Sequence, residues 1–313
     1  MNQNDYKRIL NDRKIKYRAT LNLPKNVTFG IEIEYENVLN ELISNLLYEE
    51  ELFDNSFSNW INKPEIDLNY DNIEINKVMN GEINSPVLRD TIKTWKDLRT
   101  VLNILNKNNA VVTNQCGGHV NIGAHILGSN VMYWRNFLLL WILYEKEIYK
   151  FSSGEFSKIR VRENGVIDRS KPLLIKNLLY ISGIDKNKID LFSYLNKSGI
   201  SFLEKKYDVS FYSFKKFEYD LDNKIEFRIP NATLKEEIWQ NYINFFAKFM
   251  IACKKELDVD EILYKISHNE HSTLELADYI FEDNIDKENF LIQTLKTNKI
   301  YKKELIPHIE KYE

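Results

Sequence analysis

Cysteine is scarce in this 313-residue chain. Cys116 and Cys253 are the only two, lie far apart and form no C-x-x-C pair, which argues against a zinc knuckle or a disulfide framework. A reducing, cytoplasmic compartment is the expectation. An excess of either charge is also missing: 43 Lys and Arg against 46 Asp and Glu leave a net charge of −3. No global field therefore draws the chain to nucleic acid or to an anionic membrane. Long hydrophobic runs are absent as well. The longest, Phe137 to Tyr144, is too short to span a bilayer and runs into Glu145, Lys146 and Glu147, so it predicts a buried helix. The N-terminus lacks the apolar core of a signal peptide. There is no internal repeat, and the only compositional bias is a general abundance of Asn, Lys and Ile.

Hydrophobic residues make up 43% of the chain and aromatics 13%, the composition of a folded globular protein. The length suits one large domain or two smaller ones. The organising stretch is Thr28-Phe29-Gly30-Ile31-Glu32-Ile33-Glu34-Tyr35-Glu36, whose strict alternation predicts a strand with Ile31, Ile33 and Tyr35 on one face and three glutamates on the other. Carboxylates two residues apart on a strand, roughly 6.6 Å, repel by about 2.5 kcal/mol at an effective dielectric near 20. On a solvated edge the pattern is only an acidic strand; lining a cleft, it requires a cation, and hard oxygen ligands suit Mg²⁺ or Mn²⁺.

Along the rest of the chain, residues up to about Lys25 carry a basic bias and predict a solvated helical arm. Helical spacing marks Leu39 to Leu52, and the polar stretch Asp54 to Asp71 reads as an irregular insertion. A short strand is expected over Val78 to Ile83, stopped at Pro86. Helices are expected over Thr91 to Lys107, Asn130 to Phe151, Ile184 to Leu203 and Lys235 to about Lys255, and Ala110 to Val112 should begin a strand leading to His119. Alternation over Tyr207 to Leu221, a turn at Asp222-Asn223 and alternation over Lys224 to Pro230 predict a hairpin. The tail beyond about Lys255 is acidic, polar and helical.

Two more stretches divide their faces as the first does. In Ile225-Glu226-Phe227-Arg228-Ile229, Glu226 and Arg228 share one side; in His119-Val120-Asn121-Ile122-Gly123, His119 and Asn121 face away from the aliphatics. Each alone has an ordinary structural explanation, a surface ion pair or a hydrogen-bonded histidine. Together with Glu82, they suit an antiparallel sheet with its apolar face under helices and an acidic face lining a groove.

The segments Phe29 to Glu34, Gly81 to Pro86, Cys116 to Gly123 and Ile225 to Leu234 resemble, in order, the successive motifs of the amidoligase family. That family belongs to the glutamine synthetase and glutamate-cysteine ligase superfamily of ATP-dependent carboxylate-amine ligases. The resemblance covers roughly Val27 to Cys253 and implies an α+β fold: a curved, mostly antiparallel, glutamine-synthetase-like catalytic sheet with helices on its apolar face and a helical C-terminal tail. It divides the chain into a polar arm (1–26), a catalytic domain (27–253) and a helical extension (254–313).

The resemblance further implies an enzyme that uses ATP and Mg²⁺ or Mn²⁺ to join a small-molecule or peptide carboxylate to an amine through an acyl phosphate. Glu32, Glu34, Glu82, His119 and Glu226 match metal positions; Arg228, Glu226 and His119 match catalytic ones; Arg228, His119, Asn121 and Arg160 are the nucleotide-side candidates. Many members carry a second histidine where this chain has Asn121, and the usual Asp-x-Ser element before Gly81 is missing, with Asp71 a poor substitute. Arg135, Arg160 and Arg162 are candidates for holding a further carboxylate or phosphate, or are surface ion pairs. Glu36 and Glu163 are either contacts for the amine or solvated side chains. The rival readings are a two-metal phosphohydrolase or nucleotidyl transferase, and a degenerate ligase fold kept as a nucleotide-binding or interaction module.

Overall fold

The computed structural model describes residues 14–64, 79–113, 115–156, 167–183, 190–216 and 220–304. Among them, six strands form one antiparallel open sheet: β1 Phe29–Tyr35, β2 Ile61–Pro64, β3 Gly81–Asn84, β4 Gly118–Gly123, β5 Val209–Ser210 and β6 Lys224–Phe227. Their spatial order is β2-β3-β1-β4-β6-β5, so the strand with the alternating glutamates lies inside the sheet.

Among the described residues there are also eleven α-helices. They are α1 Asn40–Phe53, α2 Ile92–Lys107, α3 Val131–Ser152, α4 Lys171–Lys176, α5 Leu178–Ser182, α6 Leu191–Ser198, α7 Tyr212–Lys216, α8 Glu236–Ala252, α9 Val259–His268, α10 Thr273–Ile280 and α11 Asn284–Glu304. Helix α2 starts where the Thr91 side chain accepts from the Thr94 amide, and α3 where Asn130 accepts from Met132; both caps satisfy amides that the first turn leaves open.

The apolar side chains of the strands explain the layering. Phe29, Ile31, Ile33, Ile83, Val120, Ile122, Ile225 and Phe227 are all buried, and helices close over them. Phe227 stacks on Phe246 of α8 with ring centroids 4.2 Å apart and meets Trp141 of α3 at 5.7 Å, while Phe29 stacks on Trp95 of α2 at 5.7 Å. Each such buried ring contributes about 1.5–3 kcal/mol. Helix α3 is buried on nearly all sides, as its sequence predicts.

Several expectations are corrected. The long hairpin shrinks to the two-residue β5 paired with β6, and the chain then turns into α7. Phe211 and Phe214, three apart, both pack on Trp134 with centroids at 6.3 and 5.1 Å, a helical spacing that outweighs the local alternation. Residues 217–219 and 184–189 lie outside the described residues. Ala110 to Val112 supply only a single bridge, Val111 to Glu36. The polar insertion supplies the short edge strand β2, and β3 begins at Gly81; Val78 lies outside the described residues.

Residues 14–28 form no helix. Leu21, Leu23 and Val27 are buried, and the Lys16 and Arg18 amides donate to Asn289 Oδ1 and Gln240 Oε1, both at 2.9 Å. Arg18 and Lys248 both pair with the fully buried Asp286, tying this segment to α8 and α11. The tail is helical as expected, but Phe290, Leu291, Ile292 and Leu295 of α11 are buried.

Candidate active site

Register alone brings the polar residues together. On one face, Glu34 lies opposite Glu82, Glu32 lies opposite Asn84 on β3 and His119 on β4, and Asn121 lies between Gly30 and Glu226. Ser210 of β5 continues that row beside Glu226. Because side chains alternate with period two, these pairings put Glu82, Glu34, Glu32, His119, Asn121 and Glu226 on the face opposite to the helices. Four distant sequence segments thereby share a few square nanometres.

The side chains meet. His119 Nδ1 lies 2.9 Å from Glu32 Oε2 and 3.7 Å from Glu226 Oε1, and its Nε2 lies 3.7 Å from Glu34 Oε1. Asn121 Nδ2 donates to Glu32 Oε1 at 2.9 Å, and Lys224 Nζ reaches the same oxygen at 3.2 Å. Glu34 Oε2 accepts from the Gly117 amide at 2.6 Å, Glu82 Oε1 accepts from Asn84 at 2.6 Å, and Arg228 Nη1 donates to Glu226 Oε1. Burial alone would raise the Glu32 carboxyl. The hydrogen bond and charge of His119, the Lys224 ammonium and the Asn121 amide outweigh it and hold the group well below the usual carboxylate range.

Local sequence makes these contacts possible. Gly118 lets β4 run against the chain after β6, since a Cβ there would sit 2.6 Å from the Asn231 carbonyl oxygen; the Gly118 amide donates to Pro230 O at 2.8 Å. Ser85, just past β3, accepts from the Ile31 amide at 2.9 Å, and beyond Pro86 the chain returns to β1 in a single bridge between Leu88 and Phe29.

Two sets of potential ligand atoms result, Glu32-His119-Glu226 and Glu34-Glu82-His119, each within 4.8 Å. Two ionised carboxylates at that distance repel by roughly 3.5 kcal/mol at an effective dielectric near 20. Four carboxylates here face two full cations, Lys224 and Arg228, so the cluster favours added positive charge. Its donors are oxygens plus one imidazole, the chemistry of Mg²⁺ or Mn²⁺. Asn121 Oδ1 and Arg228 Nε are buried without hydrogen-bond partners among the described residues, as expected of atoms that await a ligand. The residues therefore fit a divalent-ion and anion site.

Of the residues singled out from sequence, Glu32, Glu34, Glu82, His119, Asn121, Glu226 and Arg228 come together. Arg160, Arg162, Glu163 and Asp71 lie outside the described residues. Arg135 stays within its own helix region: its guanidinium donates to Asn136 Oδ1 at 3.0 Å, and burial lowers its pKa. Glu36 Oε1 accepts from Thr113 at 3.2 Å, and Cys116 is a buried thiol beside it whose pKa burial pushes up to about 12. Sequence reasoning missed Lys224, although it falls two residues before Glu226 and thus on the same face. It also missed Asp208, whose carbonyl accepts from the Arg228 amide at 2.9 Å.

Fold and site together define an α+β protein with a carboxylate-histidine centre on an open antiparallel sheet. Residues 25–250 match the family described as "putative amidoligase enzyme", and the chain belongs to that family. No curated protein matches the chain.

Proposed function

We propose that this protein is an ATP-dependent carbon-nitrogen ligase on a glutamine-synthetase-like sheet, joining a small-molecule or peptide carboxylate to an amine through an acyl phosphate in the cytoplasm. The observation that carries the reading is the pair of ligand sets that share His119, with Arg228 against one of them. A carboxylate is a poor electrophile, so its oxygen first takes the γ-phosphoryl group of ATP with ADP leaving. The amine nitrogen then attacks the acyl carbon, phosphate departs with the bonding pair, and the nitrogen loses a proton.

Glu32, Glu34, Glu82, His119 and Glu226 would hold Mg²⁺ or Mn²⁺, which would supply positive charge to offset the negative charge of the phosphates. The remaining work falls to the chain's own groups. Arg228 presents a fork whose Nε is free for an anionic oxygen, which suits it to charge on the moving phosphoryl group. Asn121 and Glu32 fix the imidazole and its neighbours. Glu32 Oε2 holds Nδ1 of His119 at 2.9 Å, which turns the other ring nitrogen, Nε2, toward Glu34 Oε1 at 3.7 Å. Burial of Glu34, His119, Asn121 and Glu226, each 6% exposed or less, keeps water from an activated acyl group.

The test is ADP and phosphate release from ATP and Mg²⁺ with pooled carboxylates, amino acids and polyamines. Release that needs both an acid and an amine, and that Glu226→Ala abolishes, is the expected result. Acceptor-independent hydrolysis, or AMP as product, overturns the reading in favour of a phosphohydrolase or nucleotidyl transferase on the same carboxylates.

A further inference from the structure

We propose that Lys224 is an internal counter-cation that sets the metal affinity of this site, holding Glu32 in the metal-free protein and leaving it when a divalent ion binds. The residue lies opposite Gly123 at the start of β6, and its side chain reaches back over the β4 row to Glu32 Oε1 at 3.2 Å. That oxygen also accepts from Asn121, and the other Glu32 oxygen faces His119. Both oxygens of a ligand carboxylate are therefore engaged by the protein itself, and one of the partners is a full positive charge.

An ammonium on Glu32 and a dication on Glu32-His119-Glu226 occupy nearly the same place and repel, so binding of one expels the other. Lys224 is built to leave. Its side chain is 39% exposed, whereas that of Arg228, the other cation at this set, is 16% exposed, and its backbone amide is fixed to Asp208. A lysine head on a flexible stem has a solvent route and three freely turning donors. Once released it faces the anionic side of whatever the ion carries; this half of the inference rests on the ATP-ligase reading, and assigns the ammonium to a phosphate oxygen of the bound nucleotide.

The experiment measures Mn²⁺ binding to the full chain by electron paramagnetic resonance, without nucleotide, for wild type, Lys224→Met, Lys224→Gln and Lys224→Arg. Both neutral variants should bind Mn²⁺ about tenfold more tightly or better, a change of about 1.4 kcal/mol or more, and Lys224→Arg should stay near wild type. A merely structural lysine would give the opposite sign, since a disordered site binds metal less well. Affinity that is unchanged or weaker in both neutral variants overturns the counter-cation role and leaves the metal reading intact. Mn²⁺ binding by none of the four proteins overturns both. A parallel titration with a non-hydrolysable ATP analogue and Mg²⁺ should show weaker analogue binding by Lys224→Met; equal binding overturns the phosphate assignment alone.

Discussion

Glu32 and His119 are direct partners across the β1–β4 ladder, and their side chains meet again at 2.9 Å between Oε2 and Nδ1. Backbone pairing thus sets the side-chain geometry of the centre: a one-residue slip of either strand would turn its own member of the pair to the helical face and part the two. The site is only as ordered as the sheet register.

Glu82 is the most accessible way to separate function from folding. It is half-buried at β3 and its known partner is Asn84. Glu82→Gln should reduce ligase turnover by about 100-fold, roughly 2.7 kcal/mol in transition-state terms, while the thermal midpoint of the metal-free protein holds or rises because a repulsion is relieved. Coupled ADP assays and calorimetry on the same preparation check both halves.

Divalent ions should stabilise the fold. A ligand at 100 times its dissociation constant adds about 2.7 kcal/mol to folding stability, so saturating Mn²⁺ should raise the thermal midpoint by several degrees and a chelator should reverse it. Glu34→Gln should remove most of that gain.

Gly118→Ala tests the close approach behind the site. Its Cβ would press on the Asn231 carbonyl oxygen, a backbone atom, so a loss of about 1–3 kcal/mol in urea unfolding is expected. Activity should fall with it, because Gly117, whose amide holds Glu34, must shift too.

Asp208 should give the protein a pH-dependent stability that does not depend on metal. Burial first, and the Glu145 charge second, push its carboxyl up to about 8. A raised carboxyl pKa means the folded state keeps a proton that the unfolded state has lost. Its contribution is complete below the unfolded value near 4, declines from there until pH passes about 8, then levels off, with a slope of about 1.4 kcal/mol per pH unit in between. Asp208→Asn should flatten this slope in urea titrations run between pH 5 and 8.

Much of the site was legible from alternation alone. Glu32 and Glu34, His119 and Asn121, and Glu226 and Arg228 each stand two apart between aliphatic residues, and a period of two has one meaning in a half-buried strand. Which strands are neighbours was not legible from the strand patterns, since β2-β3-β1-β4-β6-β5 depends on long-range pairing. Strand β2 has no strand signature, since Ile61 to Pro64 is short, mostly polar and ends in proline. Around helix α7 two signals compete: the run alternates like a strand, while Phe211 just before the helix and Phe214 within it stand three apart, as a helix requires. Lys224 carries no such signal, because a lysine at a strand end is ordinarily a solvated one.

Strand order also has a temporal side. Glu226 comes with β6, the last strand in chain order, which pairs with β4 on one side and with its short predecessor β5 on the other. A polypeptide emerging from the ribosome therefore carries Glu32, Glu34, Glu82 and His119 well before their last partner is made. Metal capture of the complete kind is a property of the finished molecule, and fragments ending before β6 should neither load ions at the Glu226 position nor gain protection from them against proteolysis.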